Sequence, residues 1–322
     1  MNDRMVRRKF LKGALAAGMA SGAGPEERAF LMQLSQTDAQ RPAQPSRESC
    51  PTGAIGNLSI SRVICGGNLI GGWAHSRDLI YVSRLFKAYN TDAKIMETLQ
   101  VCEEHGVNAI LTNPVSGPVI NRYWRERGGK IQWISEVHPM PANVKASVTA
   151  VVDNGACMAY IQGAVGDRLI KMGHLDTLAQ TVEFIKACGV PAGVGAHSLD
   201  VVLECEKAGV NPDFYVKTLH SNDYWSRRRP DQPTEVIEDR HDNFWRHEPE
   251  KTIAAMKMVE KPWIAFKVLA AGAIPPEIGF RYAFENGADF ICVGMFDFQV
   301  AEDVAVARRI LAETRRERPW RA

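Results

Sequence analysis

The stretch from Trp263 to Ile274 reads Trp-Ile-Ala-Phe-Lys-Val-Leu-Ala-Ala-Gly-Ala-Ile, and a second apolar run, Phe-Ile-Cys-Val-Gly-Met-Phe-Asp, extends from Phe290 to Asp297. Between them lies a helix-length segment that starts with Pro275 and ends at Gly287. Strands that are covered on both faces read as continuous hydrophobic runs, so the pattern predicts a strand, a helix and a second parallel strand. Repetition of this βαβ unit decides the fold.

The same alternation begins after Gly56 and continues through the chain, with Gly, Asn-Gly or Pro between elements. Eight strands alternating with eight helices are typical of an α/β protein with a (β/α)8 TIM barrel. The strands are expected within residues 62–65, 108–112, 131–137, 157–162, 192–197, 213–220, 263–274 and 290–297. Helices are expected at about 91–105, 176–188, 249–260, 275–287 and 302–314, and three more are expected to end near Gly128, Asn154 and Gly209.

The first residues resemble a signal for export. Arg7-Arg-Lys-Phe-Leu-Lys12 matches the pattern of a twin-arginine signal, and a weakly apolar run, Gly13 to Gly24, follows it. This resemblance implies a signal peptide over residues 1–24 and a periplasmic location. The apolar run is too short to span a bilayer, so no membrane anchor is expected after signal cleavage. Residues 25–55 are expected to form a linker, and residues 56–322 the catalytic barrel.

Composition limits the class of partner. The 322 residues are 45% apolar and 24% charged, with a formal net charge of +2, and much of the basicity lies at the two ends of the chain. That distribution does not predict a nucleic-acid partner. The seven cysteines form no CxxC or CxxxC pair, which argues against a zinc knuckle or a disulfide framework. A small-molecule substrate is expected, and the oligomeric state is left open.

Active sites of such barrels lie where the strands end. Period-two alternation places Glu136 and His138 on one face of the third strand, pointing together into the barrel mouth. Imidazole and carboxylate groups suit a divalent ion such as zinc, manganese, iron, cobalt or nickel. The sequence therefore predicts a metal site with the ligands Glu136, His138, His197 and His220.

Three charged residues are candidates for catalysis: Lys267, Lys217 and Asp297. Lys267 lies in the seventh apolar run, where a lysine can act as an acid, a base or an oxyanion stabiliser. A desolvated Lys267 or Lys217 could instead form a Schiff base. An ion pair of Lys267 with Asp297 or Glu136, of purely structural value, is the alternative.

Polar and aromatic groups elsewhere at the strand ends are candidates for substrate binding. Two of them, Tyr224 and Trp225, precede three arginines in the long segment after the sixth strand. A simple exposed surface loop is an equal alternative for these two residues. The candidates are Asn68, Asn113, Gln162, Tyr224 and Trp225.

The opening of the predicted barrel resembles aldo-keto reductases. The similarity lies in Ile60-Ser-Arg-Val-Ile-Cys-Gly-Gly67 and in Cys102-Glu-Glu-His-Gly-Val-Asn108. In that family the second strand carries the catalytic Asp and Tyr, but Leu111 and Ser116 stand at those positions here. Leu cannot orient a proton relay, and Ser is a far weaker acid than Tyr. The resemblance thus implies distant kinship and argues against the family's reaction.

The last quarter resembles the phosphate-binding half of many barrels. Ala271-Gly-Ala273 fits the turn after the seventh strand, whereas Gly294-Met-Phe296 is bulky at the turn after the eighth. Asp297 would repel an anion there, so a phosphorylated substrate is disfavoured.

Four functions follow as hypotheses. The first is a periplasmic, metal-dependent enzyme that acts beside a carbonyl of a small sugar or keto-sugar, as a lyase, hydratase or isomerase. The others are an NADPH-dependent oxidoreductase like the aldo-keto reductases, a Schiff-base aldolase that uses Lys267, and an exported sugar-binding barrel without catalysis.

Overall fold

A computed structural model describes residues 50–73, 75, 79, 81–227 and 248–322. The predicted export signal and Arg228 and Arg229 of the long loop lie outside these residues. The described residues belong to one compact unit, Arg47–Ala322.

Eight parallel strands close into a barrel in chain order, and the last strand pairs with the first. The predicted (β/α)8 fold is therefore confirmed. The strands are β1 (Thr52–Ile55), β2 (Leu58–Ser61), β3 (Val63–Gly66), β4 (Ala109–Thr112), β5 (Gln132–Val137), β6 (Met158–Ile161), β7 (Ala192–Ala196), β8 (Phe214–Thr218), β9 (Trp263–Phe266) and β10 (Phe290–Val293), of which β3–β10 form the barrel.

Ten α-helices lie within the described residues, and most of them surround the barrel. They are α1 (Val82–Tyr89), α2 (Asp92–Glu104), α3 (Gly117–Arg127), α4 (Lys145–Asp153), α5 (Gly163–Lys171), α6 (Leu175–Ala187), α7 (Leu199–Ala208), α8 (Pro249–Met258), α9 (Pro276–Glu285) and α10 (Val300–Glu313). Gly128 and Gly209 end α3 and α7 in the left-handed conformation, as the glycine stops predict. No helix of the described residues is long and apolar enough to cross a membrane.

The core has two layers. Alternate strand residues such as Ile64, Ile134 and Val216 fill the barrel interior, and the other parity packs against the helices. Ile55 and Ile60, from the antiparallel hairpin of β1 and β2, join the interior cluster. This hairpin lies at the amino end of the barrel, so the opposite end is the mouth.

Two helices differ from the prediction. Helix α1 lies between β3 and α2 and α5 lies between β6 and α6, two segments in which no helix was expected. The sequence did not predict helix α5 because two of its first four residues are the glycines Gly163 and Gly166, which disfavour a helix. Close packing explains these glycines, since a Cβ on Gly166 would lie 2.5 Å from the carbonyl oxygen of Gly195.

Both final strands are shorter than predicted. Strand β9 ends at Phe266, and Lys267 adopts a φ of 61°, which breaks the extended ladder. Lys267 thus begins the β9–α9 loop and is not inside the strand. Strand β10 ends at Val293, so Asp297 lies in the loop that follows it.

Candidate active site

A buried histidine–carboxylate pair lies beside the end of β7. The Nδ1 atom of His197 is 2.8 Å from Oδ2 of Asp167, whose side chain is fully buried. The same carboxylate accepts the backbone N–H groups of His197 at 3.1 Å and Ser198 at 2.8 Å. An ionised carboxylate only accepts hydrogen bonds, so Asp167 places the proton of neutral His197 on Nδ1 and fixes the ring.

Glycines bring the partners together. Gly166, the neighbour of Asp167 on α5, touches the β7 backbone, and a Cβ on Gly163 would lie 3.0 Å from Cε1 of His197. Helix α5 can therefore approach β7 closely enough for its carboxylate to reach the strand end. Asp167 was missed by the sequence analysis. The Gly-x-x-Gly-Asp spacing of residues 163–167 is the signal that could have found it.

Lys267 reaches a second basic group. Its Nζ lies 3.2 Å from Nε2 of His75, in the β3–α1 segment, and 5.7 Å from the ring centroid of Phe266. The ring centroids of His197 and Phe266 are 5.3 Å apart. The imidazole of His197 and the amine of Lys267 thus border the same aromatic ring. His75 is partly buried in this contact.

Positive φ angles recur in the loop that carries Lys267. Ala270 and Ala271 also have φ angles of 45° and 57°, a conformation that L-residues with a Cβ seldom adopt. Such strain collects at sites where the position of a side chain matters, because the surrounding structure must hold it. The loop therefore marks Lys267 as a candidate functional group.

Glu136 and His138 meet at the mouth, as the period-two pattern predicts. Oε1 of Glu136 is 3.1 Å from Nε2 of His138, and Oε2 is 3.5 Å from the phenol of Tyr160 on β6. Burial, together with the Glu136 carboxylate, raises the pKa of Tyr160, so the phenol remains a donor. The side chain of His138 is 54% exposed, and this pair is open to solvent.

The four predicted metal ligands form separate contacts. Glu136 pairs with His138, His197 with Asp167, and Nδ1 of His220 lies 2.9 Å from the carbonyl oxygen of Ser221. Within the part of the chain that the structure describes, no group of three or more His, Cys, Asp or Glu residues is placed to hold a metal ion. These donors do not fit a single metal centre as they stand, and the metal remains a prediction.

Lys217 supports the backbone that carries His197. It alternates in β8 with Val216, which faces the barrel interior, and it is 2% exposed. Its Nζ donates to the carbonyl oxygen of His197 and to Oγ1 of Thr218, each at 2.8 Å. This geometry gives Lys217 a positioning contact at the site, while a catalytic role for it remains a prediction.

Asp297 points toward the helices. Its carboxylate accepts hydrogen bonds from the phenol of Tyr89 at 2.6 Å and from Nζ of Lys94 at 3.1 Å. Burial tends to raise the pKa of Asp297, but these two donors outweigh that effect and lower it. Among the described residues, the ion pair of Asp297 is with Lys94, and not with Lys267 as the structural alternative expects.

The predicted substrate-binding residues differ in what they already contact. Asn113 is 7% exposed and lies beside the Ser116 hydroxyl, while Oε1 of Gln162 caps α5 by accepting the N–H of Val165 at 3.0 Å. Asn68 is exposed, as is Trp225. Tyr224 is buried and its ring stands edge-on to His220, with centroids 5.5 Å apart. Substrate binding by these five remains a prediction.

The positions of the missing reductase residues are filled by structural contacts. Leu111 belongs to the apolar barrel interior. Ser116 is buried, and its hydroxyl lies 3.0 Å from that of Thr112. Neither residue can supply the acid that carbonyl reduction requires.

Solved structures share this fold. Two from Pseudomonas aeruginosa, both described as a "putative aldo-keto reductase", are 17% and 16% identical, cover 82% of this chain and 98% of their own, and give TM-scores of 0.58 and 0.56. A monotopic membrane protein, (S)-mandelate dehydrogenase, is 9% identical, covers 85% of this chain and 81% of its own, and gives a TM-score of 0.50. Identities this low show the fold alone.

No family model matches the chain, and no curated protein sequence matches it.

Proposed function

We propose that this barrel is an enzyme that moves a proton at the carbon beside a carbonyl group of a small polar substrate, such as a sugar or keto-sugar. The reaction is of the isomerase, hydratase or lyase kind. The observation that carries the proposal is the buried Asp167–His197 pair, which shares the ring of Phe266 with the amine of Lys267.

His197 is the acid–base group in this proposal. Its Nδ1–H is held by Asp167, so Nε2 is the atom that accepts a proton from carbon and returns it. The carboxylate fixes the ring through Nδ1 and stabilises the imidazolium that forms. An acid–base group held in this way typically contributes about 10²–10⁴-fold to the rate.

Lys267 supplies the positive charge. When the carbon loses its proton, negative charge develops on the carbonyl oxygen, and a fixed ammonium group stabilises that oxyanion more in the transition state than in the substrate. The left-handed backbone of Lys267 and its contact with His75 hold the amine in place.

A second candidate uses Lys267 covalently. The lysine amine would attack the carbonyl carbon, and loss of water would leave a Schiff base that draws electrons from the neighbouring bond. The contact of Nζ with Nε2 of His75 favours this route, because a neutral imidazole at 3.2 Å can accept a proton from the amine. Borohydride reduction would trap such an adduct on Lys267.

Export and metal dependence complete the proposal. Residues 7–12 support a twin-arginine signal and hence a periplasmic site of action. A divalent ion at Glu136, His138, His197 and His220 would act as a Lewis acid, but no step is assigned to it because these donors lie in separate contacts. Reduction by NADPH is disfavoured by Leu111 and Ser116.

Proton exchange tests the proposal. The protein is incubated with a panel of aldoses, ketoses and keto-acids in heavy water, and exchange at the carbon beside the carbonyl is followed by proton NMR. We expect exchange with one substrate class, lost in His197→Gln. Lys267→Arg keeps the charge and should retain partial activity, whereas Lys267→Met should not.

Two results would change the assignment. Loss of activity in both lysine variants, with a borohydride-trapped adduct in the wild type, would favour the Schiff-base route. Binding of a sugar without exchange or turnover would instead support the hypothesis of a sugar-binding barrel without catalysis.

A further inference from the structure

Helix α1 differs from every other described helix because none of its residues is buried. Leu85 is 59% exposed, and so is Tyr81, one turn before it. Trp73, which precedes the helix, is 66% exposed, and Phe298, from the β10–α10 loop, is 67% exposed. We call these four side chains, with Arg84 and Lys87, the α1 surface.

The opposite side of α1 holds it on the barrel. Phe86 packs on Phe296 with ring centroids 5.6 Å apart, and the side chain of Asn90 donates to the carbonyl oxygen of Leu69 at 3.2 Å. Tyr89, one turn after Leu85, lies at the border between the two sides, and its hydroxyl donates to Asp297. The helix is thus attached by one side, and the apolar stripe on the other has no covering element among the described residues.

Trp73 belongs to the same surface. A Cβ on Gly72, its chain neighbour, would lie 2.8 Å from Cε of Lys87, so the segment before Trp73 lies against α1. Phe298 is joined through Tyr89, since their ring centroids are 6.4 Å apart and edge-on. The exposed aromatic groups therefore form one patch around α1.

The charge of the residues around this patch indicates which kind of partner it binds. Helix α1 carries Arg84 and Lys87, both exposed, and no Asp or Glu, and the nearest acidic residues in the sequence, Asp78 and Asp92, lie beyond its two ends. A short helix that exposes Tyr81 and Leu85, with an exposed Trp and Phe from the neighbouring loops and basic residues beside them, matches a helix that lies in the surface of a bilayer. A second copy of the chain fits less well, because a two-fold contact would bring the two cationic patches together.

We infer that the α1 surface binds an anionic membrane surface. Trp73, Tyr81, Leu85 and Phe298 enter the headgroup region, and Arg84 and Lys87 contact lipid phosphates. Because α1 follows β3, it lies at the carboxyl end of the barrel, and this contact turns the mouth toward the lipid. This mode leaves the chain on the bilayer without crossing it.

Quenching by brominated lipids tests the inference on the whole chain. Residues 1–49 carry basic groups that could hold the chain on vesicles, but they contain no tryptophan, so quenching does not report them directly. With brominated phosphatidylglycerol in phosphatidylcholine vesicles we expect tryptophan quenching in the wild type that falls in Trp73→Phe. Trp320→Phe, at the amino end, is the matched control and should leave the quenched share unchanged.

Four further variants separate packing from charge. Leu85→Asp should weaken the quenching-derived affinity at least tenfold, while Met258→Asp, at a residue 82% exposed on α8, should not. Arg84→Gln and Lys87→Gln should each weaken it about fivefold, as expected for a basic side chain at an anionic surface.

Other outcomes overturn the inference. Equal quenching in the wild type and Trp73→Phe means that the α1 surface does not reach the bilayer, even if the chain floats with vesicles. Equal quenching in neutral vesicles removes the role of Arg84 and Lys87. Self-association that Leu85→Asp abolishes, without quenching, assigns the surface to a second copy.

Discussion

The two ends of the barrel each contain a buried aspartate, and the two aspartates are held differently. Asp289, at the amino end, accepts hydrogen bonds from Arg318 at 2.6 Å and Arg316 at 3.3 Å, and from the backbone N–H groups of Trp263 and Arg321. Asp167, at the mouth, meets two backbone N–H groups and one imidazole.

The difference lies in the partners. Arg318 is 2% exposed and also donates to the carbonyl oxygens of Met256, Gly287, Val259 and Lys261, so its charge is fixed in one place. Arginine stays charged, whereas histidine gains and loses a proton near neutral pH. The amino end is thus suited to stability, and the mouth, in the reaction that we propose, to proton transfer.

The largest expected effect comes from breaking the ion pair of Asp289 and Arg318 at the amino end. Asp289→Asn leaves the buried guanidinium of Arg318 without its counter-charge, and breaking a buried ion pair in this way costs about 3–5 kcal/mol. We expect the free energy of unfolding, measured by urea denaturation, to fall by that amount, with activity per folded molecule retained. A free energy of unfolding equal to that of the wild type within error would show that the carbonyl oxygens alone hold Arg318.

The same substitution at the mouth should act on activity. Asp167→Asn keeps an oxygen for the backbone N–H groups but removes the charge that stabilises the His197 imidazolium. We expect turnover in the exchange assay to fall about 10²-fold, the lower bound for acid–base catalysis, with a small change in stability. Equal turnover in Asp167→Asn and the wild type would make the pair structural, like Asp289 with Arg318.

Asp303 tests a buried carboxylate that forms no ion pair with an arginine of the described residues. Burial, and to a smaller extent Glu302, raises the pKa of Asp303 to about 6. Because this value exceeds the unfolded one, the folded chain binds the proton more tightly, and the free energy of unfolding decreases as pH rises from about 4 to about 6.

Asp303→Asn should therefore stabilise the chain at pH 7.5 by about 1–3 kcal/mol, since each pKa unit corresponds to about 1.4 kcal/mol. The measurement is urea unfolding at pH 4, 6 and 7.5, and Glu302→Gln, which removes only the smaller cause of the raised pKa, should stabilise the chain less than Asp303→Asn does. A gain at pH 7.5 that persists at pH 4 would assign the effect to packing instead of ionisation.

The alternation of apolar runs with Gly, Asn-Gly or Pro predicts the barrel because each strand and helix has its own local sequence pattern. Seven of the eight barrel strands lie within the expected ranges and β3 extends one residue beyond its range, to Gly66, since both faces of each strand are covered. The role of the C-terminal arginines could not be predicted in this way. Arg316 and Arg318 read as surface charge, but carbonyl oxygens from distant residues surround them.

The candidate site was partly predictable. Strand alternation brings Glu136 and His138 together because both lie at one strand end. The partner of His197 is 30 positions away on a helix, so no strand pattern could reveal Asp167. Alternation also fails at Lys267, because a backbone with φ of 61° no longer follows the strand.

The smallest expected effect lies within the mouth itself. Glu136 and His138 are more exposed than Asp167 and His197, so solvent screens their pairing, and Glu136→Gln should lower turnover about tenfold or less. Elemental analysis of the same variant, of His220→Ala and of the wild type, each purified without chelators, accompanies the exchange assay. Near-stoichiometric metal in the wild type, lost in both variants together with a 10²-fold fall in turnover, would contradict this expectation. It would show that the contacts of Glu136 and His220 rearrange around an ion, and that the mouth works through a metal centre.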